Sequence, residues 1–143
     1  MKRSLLAIGL GITFLILLTW LGTLLTSIVP HRVTAQVQTV EAGSYSVTLT
    51  VNPNPPRITQ SATLSIQVLL RASRQPVSNA HVTLESNMET MDMGTDHENA
   101  QSQGDGMYVA RVQFSMSGPW QVQVNIAEPG GQSVSAVFEV NAQ

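Results

Sequence analysis

The sequence predicts an all-β domain, an Ig-like antiparallel β-sandwich of about seven strands, preceded by one N-terminal transmembrane helix. Three observations carry this. Apolar residues beyond position 36 recur with a period of two, no helical spacing is sustained there, and Pro- and Gly-rich turns separate the alternating runs. Residues 1–35 form an anchor and short stalk, and residues 36–143 form the sandwich.

The N-terminal element comes first. Leu5 to Val29 is an uncharged run of 25 residues behind the basic pair Lys2-Arg3. That length spans a hydrocarbon layer of about 30 Å, whereas a signal-peptide core runs about 7–15 residues. The basic flank stays in the cytoplasm, which places everything after Val29 on the extracytoplasmic side, periplasmic or at the cell surface. The stretch Val33-Thr34-Ala35 before Gln36 also fits signal-peptidase cleavage, which gives a secreted form. Either reading leaves the domain in the same compartment. The absence of cysteine removes disulfides, thiolate metal sites and cysteine nucleophiles.

In the first strand run, Tyr45, Val47, Leu49 and Val51 alternate with Ser46, Thr48 and Thr50. Ala62, Leu64, Ile66, Val68 and Leu70 repeat the pattern, with Leu69 out of phase. Ala80, Val82 and Leu84 turn inward, so His81, Thr83 and Glu85 turn outward. Three later runs are Tyr108 to Phe114, Trp120 to Ile126 and Val134 to Val140. A seventh strand falls at Arg57 to Gln60 or at Gln36 to Val40. The breaks are turn chemistry: NPNPP at Asn52 to Pro56, SRQPVSN at Ser73 to Asn79, SGP at Ser117 to Pro119 and EPGG at Glu128 to Gly131.

Ser86 to Gly106 interrupts this regularity with a long connection of few aliphatic residues, and connections of more than about 12–15 residues tend to be functional or unstructured. Its second half, ENAQSQGDG, reads as solvated chain ending in a Gly-Asp-Gly turn. The first half gathers Met88, Met91, Met93 and His97. Thioether sulfur is a soft, uncharged ligand suited to Cu(I), and imidazole accepts either copper state, so these four are the candidate metal ligands. The carboxylates Glu85, Glu89, Asp92, Asp96 and Glu98 offer oxygen, but their order does not match a calcium-binding EF-hand loop. Met116 continues the inward phase of its run and reads as core, whereas Met107 lies on the opposite phase and could reach the loop. His81 reads as an ordinary surface residue.

The sandwich region carries four arginines against nine acidic residues, a net charge of −5 with histidines neutral. That sign argues against nucleic acid or anionic lipid as the main partner. No Gly-x-Ser-x-Gly context exposes a nucleophile, the scattered histidines form no zinc signature and no phosphate-cradling glycine motif occurs, so the reading is of a protein that is not an enzyme.

The run PVSNAHVTLESNMETMDMGTDH followed by GDGMYVARVQFSMSGPWQVQVNI resembles the YtkA-like domain, a small extracytoplasmic β-sandwich related to the FixH family. The matching features are Met88, Met91, Met93 and His97, then Gly106 and Tyr108, then Met116, Gly118 and Trp120. Thr90 and Asp92 stand between the methionines, where that family often has a proline. The resemblance implies a role in copper handling or in assembly of a respiratory oxidase, with a protein partner to match. Two readings stay open: a copper-binding module using the four candidate ligands, and a metal-free interaction module.

Overall fold

In the computed structural model the described residues are Thr13, Thr19, Trp20 and 34–143. The expected transmembrane helix over residues 5–29 lies outside them except at those three positions, whose backbone is helical. Among the described residues, no helix is long and apolar enough to cross a membrane.

Residues 33–143 form one unit of nine strands. They are β1 (Val37–Ala42), β2 (Tyr45–Asn52), β3 (Ala62–Leu70), β4 (His81–Met88), β5 (Asp96–Asn99), β6 (Gln101–Gly104), β7 (Met107–Val112), β8 (Gly118–Ala127) and β9 (Val134–Ala142). All pairings are antiparallel, in a five-stranded sheet of order β1-β2-β3-β7-β6 and a four-stranded sheet of order β5-β4-β8-β9. Residues 34–143 contain no helix.

The alternation accounts for the core. Val47, Leu49 and Val51 from β2 and Leu64, Ile66 and Val68 from β3 meet Val82 and Leu84 from β4, Val122 and Val124 from β8, and Phe138 from β9, all buried. Successive side chains of a strand point to opposite faces, so each polar residue between them is placed outward. Leu69, out of phase, is only partly buried and bridges to Pro76.

Of the two places expected for a seventh strand, Gln36 to Val40 is the one taken, by the overlapping β1, while Arg57 to Gln60 is a turn. Two features differ from expectation. The segment read as solvated connection contains β5 and β6, which raises the count to nine. Ala100 separates them: its amide donates to the Val82 carbonyl at 2.9 Å, and the chain crosses there from the four-stranded to the five-stranded sheet. Every residue of β5 and β6 is exposed, so hydrophobic period two has no signal to give, and the ladder to β4 and β7 holds these edges instead. The second difference is Met116, expected inward but 38% exposed, because the inward run ends at the buried Phe114.

One titration belongs to the sandwich itself. Burial pushes the Tyr45 phenol above its ordinary value of 10.0, and the neighbouring Glu128 carboxylate adds to this as hydrogen-bond acceptor and as negative charge. A phenol whose folded pKa is raised contributes stability that is present in full below the unfolded value, and is lost as pH rises through the folded one. Stability should therefore fall above about pH 10, and Tyr45→Phe should flatten that fall in denaturant titrations run across the alkaline range. An identical alkaline slope in the variant would remove Tyr45 as its source.

Candidate functional site

Strand β4 delivers the methionine loop. Its last residue, Met88, lies opposite Trp120 of β8 and points inward, 8% exposed. A Cβ on Gly118 would sit 2.9 Å from the Met88 methyl, so glycine at φ +131° leaves the thioether its space. Trp120 is buried, packs edge-on to Phe114 with ring centroids 5.4 Å apart, and donates from Nε1 to the Met116 carbonyl at 2.9 Å. The Glu89 amide then donates to the Pro119 carbonyl at 3.1 Å. Beyond that tie the chain leaves the ladder, and Asp92 Oδ1 accepts from the Gly94 amide at 3.3 Å.

Residues Asn87 to Thr95 border an open concavity of about 290 Å³. All three loop methionines line it: Met88 from the core side, with Met91 and Met93 about half exposed. Glu89 and Asp92 share the lining.

His97 stands apart. It lies on β5 opposite Glu85, with Nδ1 3.7 Å from Glu85 Oε1, and does not border the concavity. Glu85 Oε1 also accepts from Asn125 Nδ2 at 3.0 Å, and Asn125 Oδ1 accepts from Gln123 and Ser135. The four expected ligands thus divide into three thioethers around one concavity and an imidazole on the outer face of the four-stranded sheet. Period-two reasoning could not separate them, because His97 sits in a strand that carries no apolar pattern. Met107 does not reach the loop: it pairs with Gly104 and Gln67 at the opposite end of β7. His81 is exposed at the far end of β4. Among the described residues, no three His, Asp or Glu side chains gather as a metal site.

Two further signals in the sequence have structural causes. Gly106 adopts φ +71°, and a Cβ there would meet the Val68 carbonyl oxygen at 2.6 Å. Tyr108, buried two residues later, donates to the Val77 carbonyl at 2.7 Å and accepts from the Ala80 amide at 3.2 Å. The Gly-x-Tyr pattern pins β7 to the 76–80 segment.

These features define a two-sheet antiparallel β domain with a methionine-bearing loop at one end. A model of the YtkA-like family matches residues 39–125, more than half of the chain and including the loop and both glycine-aromatic patterns. The chain belongs to the YtkA-like family. No curated protein matches it.

Proposed function

We propose that the chain is a membrane-anchored, extracytoplasmic, non-catalytic binding domain that takes up Cu(I) through Met88, Met91 and Met93 and passes it to or from another protein. The observation that carries this is the shared concavity: three thioethers from one short loop border it, two of them exposed. The donor set fits a soft monovalent cation, because thioethers are uncharged and polarisable while, among the described residues, no cluster of His, Asp or Glu side chains competes for harder ions. His97, outside the lining, is a secondary candidate. The strand order, with a chain crossing from one sheet to the other at Ala100, supports the Ig-like description of the sandwich.

The test is a Cu(I) titration of the chain against a chromophoric chelator, with methyl NMR of its six methionines. One equivalent should shift Met88, Met91 and Met93 and leave Met107 and Met116 in place. Met91→Leu/Met93→Leu should weaken binding by about tenfold or more, whereas His97→Ala should change it little. Full affinity in the double variant would remove the loop as the copper site.

A metal-free interaction module is the second reading. The exposure of Met91, Met93 and Met116 at one end favours it, since flexible thioether side chains adapt to apolar partner surfaces.

A further inference from the structure

The methionines of the sandwich differ sharply in exposure. Met91 is 54% exposed, Met93 49% and Met116 38%, whereas Met107 is partly buried and Met88 is 8% exposed. Met88 borders the same concavity as the exposed pair, so one loop holds thioethers in two opposite environments. The cause is where the ladder ends. Met88 is the last rung opposite Trp120, and Gly118 closes against its methyl. Past the tie from the Glu89 amide to Pro119, the loop turns on itself through the Gly94 amide and Asp92 Oδ1. A Cβ built on Gly94 would meet nothing within 4 Å, so small solutes reach this side of the loop freely.

An exposed thioether that holds no metal keeps a nucleophilic lone pair, and its ordinary reaction in an oxidising compartment is conversion to the sulfoxide. Charge selects the oxidant. Glu89 and Asp92 line the concavity and no Lys or Arg occurs from residue 75 to 110, so anionic oxidants are repelled while neutral hydrogen peroxide is not.

We propose that Met91 and Met93 form a site of reversible oxidation by hydrogen peroxide, which changes the donors of the loop and leaves the sandwich intact. The sulfur lone pair attacks one peroxide oxygen, the O–O bond breaks, and the other oxygen leaves as water with both protons. The thioether loses two electrons to become a sulfoxide, and the peroxide gains them. A thiol-dependent sulfoxide reductase reverses the step: the oxygen leaves as water and two thiols of the reductase system become a disulfide. Neither side chain belongs to the core, so the fold tolerates the new polarity. Met88 does belong to it, and a sulfoxide there would place an unpaired oxygen beside Trp120. The sulfoxide presents oxygen, a harder donor than the thioether and less suited to Cu(I). That last consequence rests on the Cu(I) reading, whereas the site of oxidation does not.

The full chain is treated with hydrogen peroxide, quenched at intervals and mapped by mass spectrometry at each methionine. Met91 and Met93 should each gain one oxygen several-fold faster than Met107 and Met88, with Met116 between. The denaturant midpoint should hold while only the first two are modified, and sulfoxide reductases acting on both epimers should restore them. Equal rates at Met88, Met91 and Met93 overturn the site, as does Met116 reacting before the loop pair. A midpoint that falls once Met91 and Met93 alone are oxidised overturns the separation of loop from fold. Sulfoxides that the reductases leave in place overturn the reversibility. In a Cu(I) titration the doubly oxidised chain should bind about tenfold or more weakly than the untreated one, and equal affinity overturns the change of donors. If the untreated chain takes up no Cu(I), the copper reading falls and the donor change with it, while the oxidation rates still decide the site.

Discussion

Trp120→Ala is expected to cost about 3–5 kcal/mol of unfolding free energy, the range for deleting a fully buried large aromatic, and to loosen the methionine end in the protein that remains folded. Trp120 is 2% exposed, so its deletion opens a cavity between the sheets and also removes the edge-on contact to Phe114. The indole NH is the donor to the Met116 carbonyl, and the residue opposite Trp120 in the ladder is Met88. One side chain therefore supports the β7–β8 turn and the last rung before the loop. Denaturant unfolding measures the first effect, and amide exchange at Glu89, whose hydrogen bond to Pro119 is the loop's final tie, measures the second. Trp120→Phe should recover much of the packing but not the carbonyl partner, so its exchange at Glu89 should stay fast while its stability returns part way. A Trp120→Ala variant that loses under about 1 kcal/mol would mean that the end of the sandwich closes up without the indole.

What the sequence made legible follows from where burial writes a pattern. In β2, β3, β8 and β9 one face is buried from end to end, so alternation of Val, Leu, Ile and Ala located each strand. In β5 and β6 no residue is buried, and what fixes the strands is backbone hydrogen bonding to a neighbour distant in sequence. Composition does not record that. The Asp105-Gly106 pair was the available signal, since both residues take positive φ and such a pair in a two-residue turn marks a hairpin between flanking strands. The candidate site was half legible for the same reason. Met91 and Met93 lie in true loop, where residue type is all there is to read. Met88 continues the inward phase of Val82, Leu84 and Ser86 in β4, so its place at the core edge was implied by the alternation. His97, grouped with the methionines by proximity in sequence, is carried away from them by the unsuspected strand β5.

Gly106→Ala should cost about 2–5 kcal/mol, by two additive routes. At φ +71° an L-residue carries a left-handed penalty of about 1–2 kcal/mol. The added methyl also meets backbone: Val68 O at 2.6 Å and Val77 N at 3.0 Å, with Pro76 Cβ at 2.9 Å, an overpacking worth about 1–3 kcal/mol. Neither side can yield cheaply. The Gly106 carbonyl accepts from the Val68 amide at 2.8 Å, its amide donates to Ser78 Oγ at 3.0 Å, and the Val77 carbonyl is held by the buried Tyr108 hydroxyl. Gly94→Ala supplies the comparison, because Gly94 has φ +85° but nothing within 4 Å of a new Cβ. It should show the conformational penalty alone, about 1–2 kcal/mol. The difference between the two variants in denaturant unfolding isolates the close approach at Gly106, and equal losses would assign the whole effect to backbone conformation. Because Gly106 lies at the end of the sandwich away from the methionines, the folded fraction of Gly106→Ala should give the same result as the unsubstituted chain in the Cu(I) titration that tests the proposed loop site, which separates a destabilised scaffold from a damaged site.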